Sequence, residues 1–141
     1  MLEAVVLRSY DIDSIDNRDP DAVDRLVRLV ERTLQPYHRA EVSGLGRIPA
    51  GRALYVGNHN SFIYTPDTWL FGAAAYRARG IDAVPYGLAH EVALGMPIIK
   101  QLLSPLGAVR ASHAAAERLL AADKKVLVYP GGDLDAMRPH R

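Results

Sequence analysis

The stretch Lys125-Val126-Leu127-Val128-Tyr129, running directly into Pro130-Gly131-Gly132, decides the architecture of this chain. Its apolar residues are consecutive rather than alternating, the pattern of a strand buried on both faces of a parallel sheet. Pro-Gly-Gly then ends the strand. Working back from it, Ser112 caps a helix through Ala122, and Gly107-Ala108-Val109 is short and strand-like. A helical stretch covers Pro97 to Leu103, and a strand is expected at about Ala83 to Leu88. Thr65-Pro66-Asp67 caps and starts a helix that runs to about Arg79 and stops at Gly80. Ala53 to Gly57 is strand-like, as is Tyr37 to Val42. The connector Ser43-Gly44-Leu45-Gly46-Arg47-Ile48-Pro49 resembles a dinucleotide-binding loop, but Pro49 replaces its third glycine and no helix opens there, so a turn is expected. Strands alternating with helices indicate an α/β fold: a mostly parallel central sheet flanked by helices.

Toward the start, Pro20 opens a helix whose stripe of Val23, Leu26, Val27, Val30 and Leu34 is closed by Pro36. The opposite face mixes acid and base instead of being basic, which favours core packing over a lipid-lying helix. Asp11, Asp13, Asp16, Asp19, Asp21 and Asp24 precede or enter it. Their D-x-D spacing resembles a calcium loop without its glycine and its final glutamate, so a solvated linker ending in helix-capping carboxylates is expected. Residues 1–19 are therefore read as an N-terminal segment with an acidic linker, and 20–141 as an α/β domain.

The whole chain sets bounds on function. At 141 residues it is one domain; 49% hydrophobic and 23% charged residues are ordinary for a globular protein. The formal net charge of +1 creates no field favouring nucleic acid. Having no cysteine, it excludes disulfides, thiolate metal sites and a cysteine nucleophile. The first ten residues lack the pattern of a signal peptide, and no apolar run approaches 18 residues. A cytoplasmic protein is expected, peripheral at a membrane.

In parallel sheets the carboxyl ends of strands collect functional groups. Three strand ends carry unusual residues: Asn58-His59-Asn60-Ser61, Gly107-Ala108-Val109-Arg110, and Pro130-Gly131-Gly132-Asp133-Leu134-Asp135. Each has a bland reading alone: a structural histidine, a surface cation, a turn. Their order and spacing together resemble the glycerolipid acyltransferase superfamily, which carries an N-H-x4-D block after a strand, a glycine-to-arginine block, and a later Pro-Glu-Gly or Pro-Gly-Gly block. The matching residues are Val56-Gly57-Asn58-His59-Asn60-Ser61, Leu106-Gly107-Ala108-Val109-Arg110 and Val128-Tyr129-Pro130-Gly131-Gly132. The Tyr-Pro-Gly-Gly form is closer to the diacylglycerol-acyltransferase-like branch and to actinobacterial-type members. The resemblance spans about residues 37 to 138.

It implies acyl transfer from a thioester, acyl-CoA or acyl carrier protein, to a hydroxyl of a glycerolipid-type acceptor, with no cofactor and no metal. A hydroxyl is a poor nucleophile near neutral pH, so a neutral imidazole must take its proton. His59 is the candidate base, and a carboxylate should hold its second ring nitrogen. The family's aspartate position is occupied by Tyr64, and the nearest downstream carboxylate is Asp67; Asp133 or Asp135 could substitute. Asn58, Asn60, Ser61, Arg110, Pro130, Gly131, Gly132 and Asp133 are the expected substrate-binding residues. Arg110 lies only three residues past Gly107, a shorter interval than in the phospholipid enzymes. Family members continue well past the Pro-Gly-Gly block, so the domain is expected to be C-terminally incomplete, leaving an exposed sheet edge or a homo-oligomer. The alternatives are a catalytically inactive lipid-binding or interaction domain, and a hydrolase using His59 with Ser61 or Ser112. The latter lacks a G-x-S-x-G elbow, and the five histidines show no H-E-x-x-H spacing.

Overall fold

The computed structural model describes residues 8–58 and 65–131. The described residues hold four strands, β1 (Ala53–Val56), β2 (Tyr86–Ala89), β3 (Ala108–Arg110) and β4 (Lys125–Val128), in one sheet of order β1-β4-β2-β3. Every pairing is parallel. Six helices accompany it: α1 (Pro20–Arg32), α2 (Leu34–His38), α3 (Pro66–Arg79), α4 (Glu91–Gly95), α5 (Pro97–Leu103) and α6 (His113–Ala121). The α/β expectation holds.

The apolar run of β4 is buried because β4 is an inner strand, with β1 on one side and β2 on the other. Val126 packs with Tyr86, Val109, Ala115 and Leu119 beneath α6. On the opposite face Tyr55 packs with Phe71, Ala75 and Ile48 beneath α3. Buried Lys125 starts β4 by donating from Nζ to the Gly51 carbonyl at 2.5 Å, which gives its ammonium group an acceptor. The stripe on α1 faces α3 as expected: Val23, Val27 and Val30 are buried against Ala73, with Trp69, Leu70 and Tyr76 around them. Each such valine contributes about 1.5–3 kcal/mol of burial. Two of the expected helix caps form, whereas Thr65 takes the N-cap position of α3 without a side-chain capping hydrogen bond. Asp19 accepts from the amides of Asp21 and Ala22, and Ser112 accepts from Ala115 N–H at 3.0 Å.

Three expectations need correction. Tyr37 to Val42 is not a strand: Tyr37 and His38 belong to α2, Arg39 is left-handed (φ 49°), and residues 40–42 carry no element. Tyr37 is 81% exposed, so no sheet face covers this stretch. Pro36 lies inside α2 rather than after α1; lacking an N–H for the Arg32 carbonyl, it breaks the helix one turn earlier, at Thr33. The strand placed at Ala83 to Leu88 begins at Tyr86, because Pro85 has no N–H for the ladder and Ile81–Ala83 forms a 3-10 turn.

The acidic segment is more than a solvated linker. Arg110 N–H donates to the Ile12 carbonyl at 2.9 Å, and Asp19 N–H to Pro105 at 2.8 Å. The Arg18 guanidinium lies 3.6 Å from the centre of the Tyr86 ring and donates to the Val84 and Pro85 carbonyls. Burial pushes its pKa down to about 10, opposed by the neighbouring Tyr86 and Asp82.

Candidate active site at the carboxyl ends of β1 and β4

Since all four strands run the same way, Val56, Ala89, Arg110 and Val128 end at one edge of the sheet. β1 and β4 are neighbours there, and Gly57 N–H continues their ladder to the Val128 carbonyl at 3.0 Å. The first and third sequence blocks, 71 residues apart by that bond, are thus side by side: Asn58 follows β1, and Tyr129, Pro130 and Gly131 follow β4. Asn58 and Pro130 are exposed at this edge.

Tyr129 ties the two strand ends to α3. Its hydroxyl is hydrogen-bonded to Thr68 Oγ1. Its ring crosses Gly57 so closely that a Cβ on Gly57 would lie 2.7 Å from Tyr129 Cε1. Burial raises the Tyr129 pKa; the Thr68 hydrogen bond works against that, and the negative charge of Asp67 adds to it. Asp67 itself occupies the first turn of α3, after Pro66, where the helix dipole favours a carboxylate. Its Oδ1 is buried and has no hydrogen-bond partner among the described residues. A buried carboxylate oxygen without a donor is costly, and such atoms mark places where a partner belongs.

His59, Asn60, Ser61, Gly132 and Asp133 lie outside the described residues. Asn58, Asp67, Pro130 and Gly131 are brought to the β1–β4 end. Arg110 is not: it ends β3 at the far edge, three strand spacings or about 14 Å from β1. There its Nε and Nη2 donate to the two oxygens of Asp13 at 2.9 and 2.5 Å, and its Nη1 to Glu91 at 3.5 Å. These carboxylates, Asp13 foremost, raise its pKa.

Behind the site lies an apolar cavity of about 110 Å³, between α1, α3 and the sheet. Thr68 and Trp69 stand at its end nearest Asp67, and Leu127, Gly87 and Ala108 form its floor. The space exists because small residues face each other across it. A Cβ added to Gly72 on α3 or to Gly87 on β2 would meet nothing within 4 Å. A cavity of roughly 150 Å³ accepts a benzene ring, so this one takes a short alkyl segment.

Among the described residues, no three His, Asp or Glu side chains come together as metal ligands would, and no helix is long and apolar enough to cross a membrane. Sequence reasoning named Tyr129 only as part of its block and missed Thr68. The available signal was a threonine in the first turn of an otherwise alanine-rich helix, where its hydroxyl has a use that propensity does not supply.

No curated protein and no solved structure matches the chain significantly. A family model described as Acyltransferase matches residues 39–139, which takes in all four strands and every block singled out above. The chain belongs to the acyltransferase family.

Proposed function

We propose that this acyltransferase moves a fatty acyl group from acyl-CoA or acyl carrier protein to a hydroxyl of a glycerolipid-type acceptor, with His59 as general base and Asp67 as its carboxylate partner. The observation that carries this reading is the buried Asp67 Oδ1, unpartnered among the described residues, in the first turn of α3 next to the Thr68–Tyr129 pair. His59 stands eight residues earlier, at the start of the segment leading to that turn.

The chemistry balances without a covalent enzyme intermediate. The imidazole takes the acceptor's O–H proton as the oxygen attacks the thioester carbonyl, and Asp67 stabilises the imidazolium. The C–S bond then breaks, and the imidazolium returns its proton to the departing thiolate. The backbone N–H groups of Gly131 and Gly132 are suited to the oxyanion, a role worth about 3–4 kcal/mol per donor, and Pro130, which has no N–H, serves to set the turn that presents them. Asn58, Asn60, Ser61 and Asp133 complete the substrate contacts. The cavity behind Thr68 seats one end of the acyl chain. Arg110 contacts a headgroup only where a substrate anion displaces Asp13. On this reading the protein works in the cytoplasm, peripherally at a membrane, as a monomer or a homo-oligomer.

The test is thioester consumption with lysophosphatidate, monoacylglycerol and diacylglycerol as acceptors, beside His59→Ala. Turnover by the native protein with loss in His59→Ala is expected. Equal turnover by both would remove His59 from the mechanism.

A further inference from the structure

We propose that the exposed apolar face of α4 and α5 docks this chain onto an anionic lipid surface, bringing the β1–β4 site to the interface. From Val92 to Ile99 no charged residue occurs, and most of that stretch is in contact with solvent. Val92 is 67% exposed, Ile98 74% and Leu102 60%, with Met96 and Pro97 exposed between them. Ile98 and Leu102 are one helical turn apart and share a face of α5. The helix pair does not need these side chains for its own packing: Leu94 is buried, and Leu103 lines the cavity on the inner side. Scattered exposed apolar residues are ordinary, whereas a contiguous, charge-free set marks a surface that meets something apolar.

The charges around the patch select the occupant. Lys100 sits on α5 itself, and Gln101 Nε2 donates to the Arg8 carbonyl, which keeps the Arg8 backbone beside it. Neither Lys100 nor Arg8 has an ion pair among the described residues. The acid at the other end, Glu91, is turned to Arg110. Anionic headgroups neutralise Lys100 and Arg8 while the acyl region receives the apolar side chains. α4 begins two residues after β2 ends, at the same sheet edge as exposed Asn58 and Pro130, so docking orients the site toward the lipid. That orientation has a purpose only if the acceptor is a lipid, so this part rests on the function proposed above.

The experiment is co-sedimentation of the full chain with phosphatidylcholine vesicles, with and without phosphatidylglycerol, for the native protein, Ile98→Asn/Leu102→Asn, Lys100→Glu and the control Leu29→Asn. Thermal unfolding confirms that each variant is folded. Native protein and the control should bind anionic vesicles alike. The double variant should lose about tenfold or more in partitioning, and Lys100→Glu should lose the preference for phosphatidylglycerol. Equal binding by the double variant, or an equal loss in Leu29→Asn, would overturn the proposal. So would absence of vesicle binding, including the case of a dimer that Ile98→Asn/Leu102→Asn dissociates. Turnover separates the two claims. If native protein binds vesicles but consumes no thioester, docking stands and the function falls. If both proteins acylate vesicle-borne acceptor equally, the function stands and docking falls.

Discussion

The ring of Tyr129 lies across Gly57 with no room for a methyl group, since a Cβ on Gly57 would stand 2.7 Å from Tyr129 Cε1. This contact locks the ends of β1 and β4 together, just before Asn58. Gly57→Ala is expected to cost about 1–3 kcal/mol in urea unfolding, because the ring must leave its place beside Thr68. Removing the ring in Gly57→Ala/Tyr129→Ala should recover part of that loss as a coupling energy. Strict additivity of the two substitutions would contradict the contact.

Tyr129 also reports on Asp67 independently of turnover. Burial raises its phenol pKa above 10, the Thr68 hydrogen bond opposes the rise, and the Asp67 charge reinforces it. The folded state thus favours the neutral phenol. Its contribution to stability is complete below pH 10 and is lost as pH rises from there through the folded pKa. Phenolate absorbance, taken as the difference from Tyr129→Phe, should titrate earlier in Asp67→Asn and later in Thr68→Val. An unmoved titration in Asp67→Asn would separate the two side chains.

The cavity depends on two glycines opposite each other. Gly87→Ala puts a methyl group into empty space and replaces glycine within a strand, so stability should rise by about 0.5–1 kcal/mol. The same methyl group narrows the space behind Thr68, so thioester consumption should shift toward shorter acyl chains. An unchanged chain-length profile would remove the cavity from substrate binding.

At the far edge, Asp13 already occupies the Arg110 fork. Asp13→Asn should therefore tighten the KM for a phosphate-bearing acceptor relative to an uncharged one. If both acceptors respond equally, Arg110 does not meet the headgroup.

Much of this was legible in the sequence because the decisive signals were local. The consecutive apolar residues of β4, the stripe on α1, and the caps Asp19 and Ser112 each follow from residues within a turn or two. Tyr37 to Val42 misled because a short strand-like stretch says nothing about whether a partner strand exists. α4 went unnoticed because five residues with a histidine cap give almost no periodicity. The site was readable as three strand ends, but its organisation was not. The bond between Tyr129 and Thr68 joins residues 61 apart, and Asp13 reaches Arg110 across 97. The cavity is made by absent side chains at Gly72 and Gly87, which leave no pattern.

The central claim is that Asp67 is held for His59, and Asp67→Asn tests it most directly through turnover measured beside thermal stability. The substitution keeps the shape, and Oδ1 gives up no hydrogen bond among the described residues, so the melting temperature should stay within a few degrees of native. The rate should nevertheless fall by about 10³–10⁴-fold, as expected when a histidine loses the carboxylate that orients it. A folded Asp67→Asn protein turning over at the native rate would contradict the account.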